Sequence, residues 1–307
     1  MIIVEIVGGL GNQFFDYAIA YALARKNNTS VLLDKNSYHM DYWRKFVLDE
    51  FNLDFQDAIM EKPFDKIPIV RFIYRRLIYN RLLKFKLRFL YRARHIPEKE
   101  WFAYQDFGDI SGNVYLTGYW QNYRYFHDYR DEFIRQFTLK NPSQEAQRLA
   151  ELARNEKAAA LHLRRGDYIT WGKCLDINFY YKAIDMMRND LGVNSPIWVF
   201  TEDVQFAELA FKNIDNVKYF KDIERETGGE KVGSKERQNK ALTDIEEFYV
   251  MSNCHNFITA NSTFSWWAAY LSNANPHEKQ VISPIVDIWT SDFYLPEWHT
   301  IKAELAN

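Results

Sequence analysis

Two consecutive arginines, Arg164 and Arg165, end the apolar run at 158–163 and are followed by Gly166 and Asp167. The run is short, bounded by polar residues and apolar except for His162, which is the pattern of a buried parallel strand breaking into a polar loop. In open α/β sheets ligands collect beyond the carboxyl ends of the strands, so both guanidinium groups are expected where a ligand is held. Arginine stays charged at any working pH and offers paired donors to phosphate oxygens, which suits a diphosphate. The structural alternative is that the arginines pair with carboxylates in an interdomain contact while Asp167 caps the next turn.

Other stretches carry related chemistry. Gly8-Gly-Leu-Gly-Asn-Gln13 lies between an apolar run at 2–7 and an alanine-rich helix expected at 14–26. This glycine-rich turn sets Gly9, Gly11, Asn12 and Gln13 at a helix N-terminus, where phosphates bind. Phe200-Thr-Glu-Asp203 ends one strand in two acids, and Asn261-Ser-Thr-Phe-Ser265 ends another in hydroxyls at a helix start. There Ser262, Thr263 and Ser265, with free backbone N–H groups and the helix dipole, suit phosphate oxygens. Ser262 or Thr263 also serves as a plain N-cap. Gly9-x-Gly11 with Asp34 at the end of the second strand matches part of a dinucleotide fingerprint, but Phe14 stands where the third small residue belongs.

Composition bounds the function classes. The 307 residues make one large domain or two smaller ones, with 47% hydrophobic and 26% charged residues. A formal net charge of −2 gives no general attraction to nucleic acid. Aromatic content is high, with 20 Tyr, 23 Phe and 9 Trp, and exposed rings are the usual stacking surfaces for sugars. The two cysteines, Cys174 and Cys254, have neither disulfide nor zinc spacing and read as reduced thiols. The opening residues show no basic leader or long apolar stretch, so a cytosolic protein is expected. From 71 to 94, nine Arg and Lys residues interleave with apolar ones without an acid. That basic amphipathic pattern fits contact with an anionic membrane, or a helical hairpin with a solvated basic face.

The elements that must position these residues read as two β/α series. The first contains strands at 2–7, 30–34 and 113–119, with a helix running to about 137 and a break at Asn141-Pro142. A helix reaching about 155 follows, and then strands near 158–163, 196–200, 217–220, 256–260 and 280–283, separated by helices. Residues 222–239, charged and without apolar period, read as a mobile surface loop. The expectation is an α/β protein with two facing Rossmann-like domains, at 1–155 and 156–307, and a helical basic insertion in the first.

The combination of Gly8-Gly-Leu-Gly-Asn-Gln13, His162-Leu-Arg-Arg-Gly-Asp-Tyr168 and Asn261-Ser-Thr-Phe-Ser-Trp-Trp267, in this order, resembles the bacterial α-1,2-fucosyltransferases of glycosyltransferase family 11. The resemblance implies a GT-B fold, GDP-fucose as donor, inversion at the anomeric carbon and no metal or other cofactor. The first domain would take the glycan acceptor and the second the GDP-fucose. By position, Arg164 or Arg165 would hold the β-phosphate, His162 would lie against the guanosine, and Glu247, or else Asp244, would accept from guanine. Ser262, Thr263 and Ser265 would fall at the diphosphate, with Asn12 reaching it from the other domain. No Asp-x-Asp occurs in the sequence. Phe14 and Asp16 replace the Met and Gln usual in relatives, and Pro284-Ile-Val-Asp-Ile-Trp289 replaces a more basic stretch, which bears on the acceptor and linkage.

Such a transfer needs fixed positive charge at the leaving phosphate and a general base near the acceptor oxygen. Asp16 and Asp167 are the candidates for the base. A non-catalytic sugar-nucleotide-binding or membrane-surface protein is the alternative from another class, and a dinucleotide-dependent oxidoreductase a further one.

Overall fold

The computed structural model describes residues 1–39, 44–58, 88–221, 242–287 and 293–306. Two compact units emerge, one of residues 1–137 with 290–293 and one of 138–289 with 294–307. Each contains a wholly parallel sheet, so the α/β class and the two Rossmann-like units expected from sequence are present.

In the first unit, β1 (Ile2–Glu5) pairs with β2 (Val31–Asp34) and with β5 (Val114–Thr117), while β3 (Gln56–Asp57) and β4 (Arg94–Pro97) close the edges. Ile2, Ile3 and Val4 are fully buried, as branched residues covered on both faces should be. The helix α1 (Leu10–Lys26) buries nearly every residue from Gln13 to Ala24. Alanines at 18, 20, 22 and 24 keep it thin, so it lies against the sheet as a helix apolar all round. It begins before the expected Phe14, because Gly9 is its N-cap and the Asn12 and Gln13 amides both bond to the Gly9 carbonyl. A helix follows at α2 (Arg130–Gln136). The sequence pattern misses β3 and β4 because they carry almost no apolar signal: both β3 residues are exposed, and in β4 only Ile96 is buried.

In the second unit the strand order is β11-β10-β9-β6-β7-β8. These are β6 (Ala159–Leu163), β7 (Ile197–Thr201), β8 (Val217–Tyr219), β9 (Asn256–Ile258), β10 (Val281–Ile285) and β11 (His299–Lys302). The central strands β6 and β7 are buried along their whole length. Around them pack α3 (Gln144–Asn155), the short α4 (Gly166–Thr170), α5 (Ile177–Asp185), α6 (Val204–Phe211), α7 (Asp244–Ser252) and α8 (Thr263–Leu271). One core cluster joins Leu161, Leu163, Phe179, Val199, Phe211 and Ile282 across both sheet and helices.

The division between units falls at 137/138 rather than 155/156. Ala146, Leu149, Ala150 and Ala153 form a buried face on α3, whose ends bond to α7 through Ser143 N–H to Glu246 at 3.0 Å and Arg154 to Asn253. β11 and α4 are also absent from the sequence reading, since β11 is a half-exposed edge strand and α4 buries no residue. Among the described residues no helix is long and apolar enough to cross a membrane. The loop at 222–239, and the basic insertion at 71–94 as far as residue 87, lie outside the described residues.

Candidate functional site

The carboxyl ends of β6, β7 and β9, adjacent in the second sheet, bring most of the expected residues together. Arg164 and Arg165 follow β6 directly, and each side chain is about one-fifth exposed. Both are paired with carboxylates. Arg164 meets Asp167 at 2.5 Å and also Glu202, while Arg165 meets Asp203 at 2.9 Å. The carboxylate pairing weighed from sequence is therefore present, but within the second unit. Asp167 is not a cap: Arg165 is the N-cap residue of α4, and no side chain caps it. Two rings line the guanidinium groups, Phe206 at 3.6 Å from Arg165 and Tyr168 at 5.3 Å from Arg164. Flat, weakly hydrated guanidinium groups stacked in this way keep their remaining N–H donors aimed sideways.

His162, one residue from the end of β6, is buried, and its ring lies 5.7 Å from that of Phe264. Burial first, and then the charge of Arg164, push its pKa down to about 3. A neutral imidazole is thus present at any working pH, and its Nδ1 has no hydrogen-bond partner among the described residues. The Asn261 side chain, after β9, donates to the Lys173 carbonyl at 2.9 Å while its Oδ1 is likewise unpartnered. Orphaned buried polar atoms are uncommon and costly, so two of them on adjacent strand ends fit the polar edges of a bound nucleotide.

The loop into α8 is held by its own hydroxyls. Ser262 Oγ caps the helix by accepting from Phe264 N–H at 3.3 Å, and Ser265 Oγ accepts from Ala260 N–H at 3.1 Å. Thr263 opens the helix between them, so the loop presents a helix N-terminus already shaped. Asp203 also caps α6, accepting from Phe206 N–H at 3.2 Å. Glu247 sits on α7, opposite Lys221 at 3.2 Å. Asp244 is the first residue of that helix.

The glycine-rich turn belongs to the first unit. Gly8 has φ +76°, and a Cβ there would strike Asn12 Nδ2, so only glycine fits beside that side chain. Gln13 is a strut: its amide donates to the Gly8 and Lys45 carbonyls at 3.1 and 2.8 Å and accepts from Val47 N–H at 3.0 Å. Asn12 Oδ1 accepts from Gln121 at 2.8 Å. Gly9 and Gly11 form the N-cap and first turn of α1. Asp16 is fully buried and accepts from Val7 N–H at 3.0 Å. Burial raises its pKa well above the usual carboxylate value, the Val7 N–H opposes this, and the charges of Glu5 and Glu98 add to the rise. Asp34, where a dinucleotide ribose would need a carboxylate, is also buried; it accepts from Asn36 N–H at 3.0 Å and Tyr115 OH at 2.7 Å.

The sequence pattern gives Glu202 no role of its own. Its place beside Asp203 at the end of a strand was the available signal. Both cysteines are free and buried.

A model of glycosyl transferase family 11 matches residues 1–302. Among curated proteins, the chain is 29% identical over 287 residues to an alpha-1,2-colitosyltransferase of Escherichia coli, covering 89% of this chain and 88% of that protein. It is 29% identical over 298 residues to the O-antigen biosynthesis glycosyltransferase WbnK of Escherichia coli, covering 90% and 91%. To the galactoside 2-alpha-L-fucosyltransferase Sec1 of Mus musculus it is 27% identical over 323 residues, covering 99% and 75%. With its three motifs in order and a family match over nearly its whole length, the chain belongs to glycosyl transferase family 11.

Proposed function

We propose that this protein is an inverting glycosyltransferase that moves fucose from GDP-fucose to O2 of a galactose in a glycan acceptor during surface polysaccharide synthesis. The observation that carries the reading is the family match, which spans every candidate site residue. The names of the relatives support it: two specify a 1,2 or 2-alpha linkage, and another places a relative in O-antigen biosynthesis.

The acceptor hydroxyl attacks C1 of fucose as GDP leaves, and negative charge grows on the β-phosphate. Arg164 and Arg165, fixed at the end of β6, supply positive charge there, with the N-terminus of α8 as a second source. His162 and Asn261 offer their open polar atoms to the nucleoside. GDP-fucose is a substrate in this scheme, and neither a metal nor another cofactor is required. The base that takes the acceptor proton has to be ionised and reachable. Asp167, beside Arg164, meets the geometric condition better than the fully buried Asp16. The acceptor is proposed to be lipid-linked on the cytoplasmic membrane face, with the protein in peripheral contact.

The test is incubation with GDP-fucose and a β-galactoside, following GDP release and determining the product linkage by NMR, with and without EDTA. Transfer to O2 that survives chelation is expected. Turnover with UDP-sugars but not GDP-fucose, or a strict need for Mn²⁺, would overturn the reading.

A further inference from the structure

We infer that Glu202 is a positioning residue for Arg164, holding its guanidinium in place until a diphosphate takes the carboxylate's position; this rests on the reading of the site given above. The Glu202 carboxylate makes two contacts with the arginine turn, and a glycine leaves room for it. It pairs with Arg164, its Oε2 accepts from Arg165 N–H at 3.4 Å, and its Oε1 would lie 3.2 Å from a Cβ at Gly166. A single side chain from the end of β7 therefore braces the turn that follows β6.

Charge shows why the brace has to give way. Three carboxylates, Asp167, Glu202 and Asp203, surround the two guanidinium groups, so the cluster has no positive charge to spare for a diphosphate. At Arg164 both terminal nitrogens are already held, one by Asp167 and the other by Glu202, so a diphosphate arriving there has to displace a carboxylate. Asp203 is committed elsewhere, as the cap of α6. Asp167 is only 18% exposed, whereas Glu202 is 41% exposed and returns to water at the least cost. Glu202 is thus the partner that yields. In the empty site it holds the Arg164 guanidinium against an oxygen anion, the same kind of partner that a diphosphate then supplies.

The experiment compares Glu202→Gln, Glu202→Asp and Arg164→Ala, measuring GDP affinity by calorimetry, kcat for transfer and the thermal midpoint. Glu202→Gln removes the competing charge and keeps an oxygen for Arg165 N–H. It is expected to bind GDP about two- to fivefold more tightly, the range an exposed ion pair commands. Its kcat should stay within about twofold of wild type, because Glu202 has already left Arg164 in the donor complex. Glu202→Asp keeps the charge and should return GDP affinity to the wild-type value. A merely structural role would instead weaken GDP binding and lower the thermal midpoint together. Wild-type GDP affinity in Glu202→Gln, while Arg164→Ala loses GDP, would overturn the inference and leave the diphosphate site standing. Unchanged GDP binding in Arg164→Ala would remove the site assignment itself. Should Glu202→Gln not fold, Glu202→Ala carries the same comparison.

Discussion

The Tyr168 hydroxyl donates to the Asn261 carbonyl at 3.1 Å, and the Asn261 amide donates to the Lys173 carbonyl at 2.9 Å. Two loops that are remote in sequence, the arginine turn after β6 and the hydroxyl loop after β9, are thereby latched to each other. Tyr168→Phe should release one side of the latch, at a stability cost of about 1 kcal/mol. Because the loosened loops are the proposed donor site, KM for GDP-fucose should rise about threefold to fivefold, with a smaller change in kcat. Steady-state kinetics and a thermal melt check both; an unchanged donor KM would separate the latch from donor binding.

Arg164→Ala and Arg165→Ala should each lower kcat by about 10² to 10³, the loss expected when a charge-assisted donor to the leaving phosphate is removed. Each side chain is about one-fifth exposed and faces carboxylates that lose a counter-charge, so the thermal midpoint should fall modestly, and a melt beside the kinetics separates that loss from the loss of turnover. Near wild-type turnover in the double alanine variant would dissolve the assignment.

Asp16 makes stability depend on pH in a defined direction. Its folded pKa lies well above the usual carboxylate value, with burial as the first cause. Between the unfolded and folded pKa values the unfolded chain has released this proton and the folded one keeps it, so the Asp16 contribution falls as pH rises through that window. Asp16→Asn keeps an oxygen for Val7 N–H and has no proton to lose. The variant should therefore gain stability relative to wild type as pH rises above about 4, reaching a constant advantage once the folded pKa is passed. Urea midpoints from pH 4 to 8 measure the difference. A gap that is flat or shrinks with pH would contradict a proton held on Asp16.

Arg88, Arg92 and Arg94 are exposed, as is Phe89, at 78%. These residues continue the basic pattern at 71–94, and each basic side chain near an anionic surface contributes about 1 kcal/mol, fading with salt. Co-sedimentation with phosphatidylserine vesicles at low salt, lost at high salt and weakened by changing the three arginines to Gln, is the expected outcome. Equal sedimentation of wild type and variant would leave the basic face merely solvated and make a soluble or protruding glycan the acceptor.

The sequence by itself determined the chemistry-bearing residues and the α/β class. Buried parallel strands such as β6 and β7 are short apolar runs, and a run that stops at Arg164-Arg165 or at Glu202-Asp203 shows where a strand end meets solvent. The glycine turn, the arginine pair and the Asn261–Ser265 loop are likewise local, because each works through backbone conformation or through side chains next to one another in the chain. Edge strands were not legible: β3, β4 and β11 bury too little to leave a periodic pattern, and only partners from distant parts of the chain make them strands.

Tertiary structure alone decided how those residues are used. Arg164 pairs locally with Asp167, but its second carboxylate is Glu202, which the register of β7 against β6 sets beside it. Burial is likewise a property of the whole fold. It keeps Asp16 away from solvent and His162 neutral, each a lone polar residue in an otherwise apolar stretch of sequence. The place of α3 in the second unit followed from the face it buries and its bonds to α7, neither of which its own sequence specifies. Residue identity supplies charge and donor geometry, but the dielectric around a group and the partner it meets come from segments that only folding brings together.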